Sequence, residues 1–229
     1  MKTKAVRLYG KKDLRLDEFE LPPVGENEIL AQVVSDSICM SSYKAVMQGS
    51  DHKRIPDNIS SHPVIIGHEF CGRIMEVGTK WKKKFKPGDK FTIQPALNLA
   101  HDPLKAPGYS YEYIGGDATY IKIPSEVMEQ DCLLPFHGEA YFFGSLAEPM
   151  SCIVGAFHAQ YHTAGGSYKH NMGIKPGGVM AILAGAGPMG FGAIDYAIHA
   201  DFKPKLLVVT DIDAERLSRA VQIHSPQEA

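Results

Sequence analysis

The stretch from Gly177 to Ala200, GGVMAILAGAGPMGFGAIDYAIHA, constrains the fold of this chain more than any other. A short continuous apolar run gives way to glycines and then to apolar residues at helical spacing, the pattern of a buried strand, a loop and a helix. After the breaker DFKPK comes LLVVTD, a second buried strand. Strand, helix and strand in that order make a β-α-β unit, with the two strands parallel and the helix across one face.

The loop of this unit, Gly185-Ala186-Gly187-Pro188-Met189-Gly190, has glycines at the spacing that a phosphate-binding turn requires. Gly185 permits a tight turn, Gly187 lets a pyrophosphate approach the backbone, and Gly190 lets helix and strand pack closely. Asp211 ends the next strand about 20 residues further on, where a carboxylate accepts both ribose hydroxyls of a dinucleotide. The same carboxylate repels a 2′-phosphate, which favours NAD(H) over NADP(H); Arg216 lies close enough in sequence to soften that preference. Glycines that merely form a tight strand-to-helix turn are the plainer alternative.

Upstream the character differs. EILAQVVSDSI and FCGRIMEVG read as strands, and PVGEN and KPGDK as turns, as in an all-β module. From about Ser151 the segment SCIVGAFHAQYH has helical apolar spacing, so the boundary is expected between Glu148 and Ser151, dividing the chain into 1–150 and 151–229. TAGGS, Thr163 to Ser167, reads as a loop. With 24 basic and 26 acidic residues the chain has no electrostatic footprint for nucleic acid. The run KWKKKFK precedes a turn and reads as a solvated loop. No apolar stretch reaches membrane-spanning length and the N-terminus lacks the apolar core of a signal peptide, so a cytoplasmic protein is expected. The four cysteines show no paired spacing, which argues against a disulfide framework.

A nicotinamide site implies hydride transfer, and hydride leaving an alcohol carbon requires the hydroxyl proton to be lost or stabilised. A metal does this by lowering the hydroxyl pKa, and it polarises the carbonyl in the reverse direction. The candidate ligands ahead of the glycine loop are Cys39 in DSICMSSYK, His68 and Glu69 in GHEFCG, and Glu148 in SLAEPM. Thiolate, imidazole and carboxylate make an ordinary zinc set with a position left open for substrate. Taken singly, Cys39 and His68 also fit as core residues and Glu148 as a surface charge.

Cysteine, then GHE, then AEP, then GAGPMG is an order that resembles the zinc-dependent medium-chain dehydrogenases, in particular their polyol (sorbitol) dehydrogenase branch. VGTKWKKKFKPGDKF and GGDATYIKIP support the likeness, and EVMEQDCLL, GSLAEPMSC and MGIKPGG resemble members acting on ketose phosphates. The resemblance implies an α/β protein with a β-rich part: a GroES-like β-barrel catalytic domain followed by the first part of a Rossmann doubly wound parallel sheet. It also implies one catalytic zinc, held by Cys39 and His68, with Glu69 and Glu148 alternating or one of them acting through metal-bound water. Ser41 matches the hydroxyl that takes the substrate proton, although a serine bonding its own turn would look the same. The implied reaction interconverts a ketose, plausibly phosphorylated, and a polyol with NAD(P)H, in a dimer or tetramer.

Three departures from the family pattern stand out. Between Gln94 and Gly116, where many relatives carry a four-cysteine structural zinc, there is no cysteine, so no structural zinc is expected. Lys44 stands where many relatives have a relay histidine, and is expected to attract an anionic substrate group. The chain ends just after the second strand of the nucleotide domain, which reads as a fragment of a longer polypeptide or a truncated product. A zinc-free quinone reductase of the same fold, or a non-catalytic binding module, are the competing expectations.

Overall fold

The computed structural model describes residues 1–224. The chain folds as two compact units, Met1–Glu148 and a second from Pro149 onward.

The first unit opens with a hairpin of β1 (Lys2–Gly10) and β2 (Asp13–Glu20), followed by β3 (Ile29–Asp36), α1 (Met40–Gln48), β4 (Val64–Ile65) and β5 (Phe70–Val77). β6 (Lys90–Ile93), β7 (Tyr120–Ile123), α2 (Ser125–Glu129), β8 (Leu133–Pro135) and α3 (Tyr141–Ser145) complete it. The sheets are antiparallel: three strands ordered β2-β1-β4, and five ordered β7-β3-β5-β6-β8. The all-β reading holds for the sheets but not for α1, α2 and α3, which occupy the connections. Alternation along β3, β5 and β7 sends Ile29, Ala31, Phe70, Ile74, Ile121 and Ile123 into one core. Leu97, Leu99 and Ile114 join that core from the cysteine-free lobe. In the lysine-rich run, Trp81 and Phe85 pack against the same core while the lysines stay exposed, Lys80 and Lys84 paired with Glu129 and Asp131.

Two features of this sheet position the site. β3 and β5 run antiparallel, so residues just after the end of β3 lie beside those just before the start of β5. The register shifts twice, between Leu30 and Ala31 and again between Val33 and Ser35, after which Asp36 pairs with Phe70. Such bulges bend a strand and re-aim its end. Cys39, three residues beyond β3, and His68-Glu69, directly ahead of β5, are thereby neighbours although 29 residues apart in sequence at their closest.

The second unit contains α4 (Ala147–Ala159, whose first two residues belong to the first unit), β9 (Tyr161–His162), β10 (Asn171–Met172), β11 (Val179–Leu183), α5 (Pro188–His199), β12 (Leu206–Thr210) and α6 (Ala214–Ile223). β11 and β12 are parallel and in register from Val179↔Leu206 to Leu183↔Thr210, and α5 connects them, the β-α-β unit expected from sequence; the strands are not buried as expected, since alternate residues such as Val179, Leu183 and Leu206 are exposed. Ile153, Phe157, Ile174 and Ala197 form its core with Met180 and Leu207. TAGGS lies in the connection between the short strands β9 and β10, which pair antiparallel.

Candidate metal centre

Cys39 is the residue preceding α1, extended at φ −102° and ψ 140°, and its thiol makes no helix-capping bond. It is half-buried, while His68 and Glu69 are 5% and 6% exposed. One donor atom from each of these three residues lies within 4.8 Å of the others. Among the described residues this is the one such group of three or more histidine, cysteine or acidic side chains.

The surroundings suit metal ligation. Burial, and secondarily Arg54, push the His68 pKa down to about 4, so its ring is neutral and keeps a lone pair for an ion. Ser42 Oγ lies 3.3 Å from His68 Nδ1; accepting the Nδ1 proton there, it would leave the Nε2 lone pair for an ion. Burial raises the Cys39 thiol pKa, with the Glu69 carboxylate beside it acting in the same direction; thiolate formation there requires a compensating cation. Thiol, neutral imidazole and carboxylate in a mostly buried site fit zinc, whose open catalytic sites use three protein ligands.

Two hydroxyls border the donors. Ser41 Oγ, in the first turn of α1, donates to Cys39 Sγ at 3.0 Å and lies 3.3 Å from His68 Nε2. Tyr109 OH lies 2.7 Å from Ser41 Oγ and 3.3 Å from the same Nε2. Tyr109 comes from the cysteine-free lobe, which is packed tightly onto the His68 turn: a Cβ on Gly108 would fall inside the Gly67 carbonyl, and Gly108 has φ 78°. Sequence reasoning did not single out Tyr109. The segment GYSYEYIGG has three tyrosines, but Tyr111 turns to Glu126 and Tyr113 toward Phe19, a difference that no local pattern encodes.

Behind the turn Asp36 accepts the Glu69 backbone N–H at 3.2 Å, and Ser37 N–H donates to the Glu69 carbonyl at 3.1 Å. Asp36 fits only because Gly67 and Gly116 lack side chains. Burial, and then the charge of Asp117, push its pKa up to about 8.

The other candidates lie elsewhere. Glu148 is in the first turn of α4 and outside the donor group, though its charge acts on Tyr109. Lys44 is exposed on α1, one turn beyond Ser41, and its charge acts on His52. In the second unit the left-handed residue of the glycine turn is Ala184, at φ 52°, so the backbone freedom expected of Gly185 is exercised one residue earlier. Gly185 is required for space, because a Cβ would stand 2.8 Å from both Ile182 and Val209 side chains. Gly190 has no room at all, since a Cβ would enter the Gly185 backbone. Gly187 precedes α5 with open space around it, and Pro188 and Met189 begin the helix. Asp211 accepts from Ala186 N–H and Asp213 N–H, each at 3.0 Å, bonds that lower its pKa; Arg216 pairs with Asp213 at 3.3 Å.

No helix among the described residues is long and apolar enough to cross a membrane. Residues 25–133 match the alcohol dehydrogenase GroES-like domain family. The chain is 55% identical over 226 residues to L-sorbose 1-phosphate reductase of Klebsiella pneumoniae, covering 99% of this chain and 55% of that protein. It is 54% identical over 218 residues to mannitol-1-phosphate 5-dehydrogenase of Aliivibrio fischeri, covering 95% and 51%. It thus spans about half the length of these relatives. Among solved structures, 2R,3R-butanediol dehydrogenase of Bacillus subtilis superposes with a TM-score of 0.75 at 23% identity, over 96% of this chain and 61% of that one. Residues 25–133 thus match the alcohol dehydrogenase GroES-like domain, and the chain as a whole is similar to relatives named as sugar-phosphate and polyol enzymes.

Proposed function

We propose that this chain carries the metal centre and nucleotide loop of an NAD(P)H-dependent zinc oxidoreductase that interconverts a ketose, as its phosphate ester, and the corresponding polyol. The observation that carries this reading is the convergence of Cys39, His68 and Glu69 donors within 4.8 Å, bordered by Ser41. Bound there, zinc supplies Lewis acidity that polarises a carbonyl or lowers the pKa of an alcohol. Cys39, His68 and Glu69 would hold it; a thiolate and one carboxylate would balance its charge, so Glu148 is the alternative to Glu69 and not a further ligand. Ser41 Oγ holds the proton that the substrate oxygen gains or loses. Gly187 leaves the start of α5 open to a pyrophosphate, and Asp211 is the carboxylate that would accept the ribose hydroxyls, favouring NAD(H) over NADP(H). The phosphate ester of the substrate rests on the substrates that the two similar relatives are named for and on the exposed charge of Lys44, one turn beyond Ser41 on α1. A cytoplasmic setting and a homo-oligomer belong to the same proposal.

Metal analysis tests it. The purified chain should bind about one zinc, and Cys39→Ser and His68→Ala should each abolish tight binding. Undiminished binding in the His68 variant rules the centre out. A panel of ketoses and ketose phosphates, assayed with NADH on a zinc-loaded protein extended to the length of its relatives, identifies the sugar.

A further inference from the structure

His52, Tyr109 and His68 form a row of rings leading to the metal donors. His52 is 9% exposed and stacked on Tyr109, with centroids 5.7 Å apart and planes 6° from parallel, and Tyr109 is tilted against His68 at 4.8 Å. Three cations bear on this row. After burial, the charges of Arg54, Lys44 and Lys53, in that order, lower the pKa of His52, and of the three Arg54 acts on His68 as well.

Arg54 differs from the two lysines in being held. Lys44 and Lys53 are exposed, whereas Arg54 is half-buried. Its carbonyl accepts from Ser110 Oγ at 2.8 Å, its Nη1 donates to the Leu104 carbonyl at 2.9 Å, and its guanidinium carbon lies 5.8 Å from the Tyr109 ring centroid. A clasp between Leu104 and the Tyr109 ring needs little of the hydrogen-bonding capacity of a guanidinium, which has five N–H donors. Among the described residues no carboxylate pairs with Arg54, Lys44 or Lys53, while Arg7 and Arg15 of the same unit pair with Asp17 and Asp13. A fixed, half-buried guanidinium with donors to spare and no acid beside it is matched by an arriving anion.

We propose that Arg54 is the specificity-determining residue for an anionic substrate, its guanidinium taking the phosphate ester in a forked pair of hydrogen bonds while the reacting oxygen lies at the metal donors. The inference rests on the proposed metal centre and names the residue that makes a phosphate ester preferred there. A phosphate on the carbon beside a ketose carbonyl is only a few bonds from the reacting oxygen, and Arg54 is one ring removed from His68. The exposed lysines attract the anion from a distance; the planar fork fixes where it stops. A free sugar leaves the fork unmatched.

The test reads binding and needs no hydride chemistry. The chain is loaded with zinc, the Arg54 Nε–H resonance is assigned in the wild type through bonds, and L-sorbose 1-phosphate, free L-sorbose or inorganic phosphate is titrated in. The ester should shift that resonance and saturate at a concentration at least about tenfold below either of the others. Arg54→Lys keeps the charge but not the fork. It should bind the same amount of zinc, leave free L-sorbose binding unchanged as followed on the Tyr109 ring resonances, and reduce the advantage of the ester to about threefold or less. An Arg54 resonance that stays in place while the ester binds, or an advantage retained in Arg54→Lys, overturns the assignment of Arg54 and leaves the metal centre standing. A wild type without preference for the ester overturns Arg54 together with the phosphate part of the proposed function. A chain that binds no zinc, or that once loaded binds no ester, overturns both readings.

Discussion

Lys44 and Ser41 share one face of α1, three residues apart, yet they are in opposite environments: Ser41 is bonded to Cys39 and Tyr109, and Lys44 is exposed. An exposed ammonium adds little to folding, since surface charges are screened. It does add attraction for an anionic substrate group. In an active protein, Lys44→Met should raise the Michaelis constant for L-sorbose 1-phosphate at least about tenfold, about 1.4 kcal/mol, and barely change that for free L-sorbose or the metal content. Equal losses for both sugars would assign Lys44 to proton transfer instead. Its residue type and closeness to Cys39 were legible in the sequence. Its exposure was not, because that depends on how α1 is seated, with Ala45 in one core with Ala106 and Ile59.

At the scale of elements, the strand-helix joint of the second unit is fixed by sterics. Gly190→Ala would drive a methyl group into the Gly185 backbone, so the loop must open or α5 must shift away from β11. Thermal unfolding of that unit should come at a lower temperature by an amount matching about 1–3 kcal/mol, the usual cost of overpacking, with nucleotide affinity falling as well. Unchanged stability would show that the joint is slack.

The turn ahead of β5 has a different device. Asp36 is buried beside Asp117 and its pKa is raised to about 8 by burial and by that neighbour, while an unfolded aspartate titrates near 4. The folded state therefore keeps a proton that the unfolded state releases, and stability falls as pH rises from about 4 to about 8. Asp36→Asn cannot ionise, so its melting temperature should decline less than that of the wild type between about pH 5 and pH 8. Parallel decline in both proteins would mean that Asp36 is already ionised when folded.

Taken as a whole, the first unit includes a lobe, residues 94–116, held by packing and turns. Leu97, Leu99 and Ile114 enter the main core, Tyr109 and Ala106 a second one, and Asp102 Oδ1 accepts the backbone N–H groups of Leu104 and Lys105 at 3.2 Å. Ile114→Ala should cost about 2–5 kcal/mol by leaving a cavity, and because the lobe carries Tyr109 it should also disturb the metal centre. Denaturant unfolding with metal analysis checks both; a loss of less than about 1 kcal/mol would mean that the lobe is anchored by something else. What the amino-acid sequence determined by itself was local: the β-α-β unit, the glycine spacing, the alternation of the strands, and the chemical types of Cys39, His68 and Glu69. Periodicity and side-chain chemistry act over a few residues, so they can be read without a fold. Only the tertiary structure decided which donors meet. The antiparallel pairing of β3 with β5 and its double register shift bring Cys39 to His68 and Glu69, leave Glu148 outside the donor group, and the packing of the lobe onto the Gly67 turn delivers Tyr109. Those placements depend on register and close packing between segments far apart in the chain, which no short stretch of residues specifies.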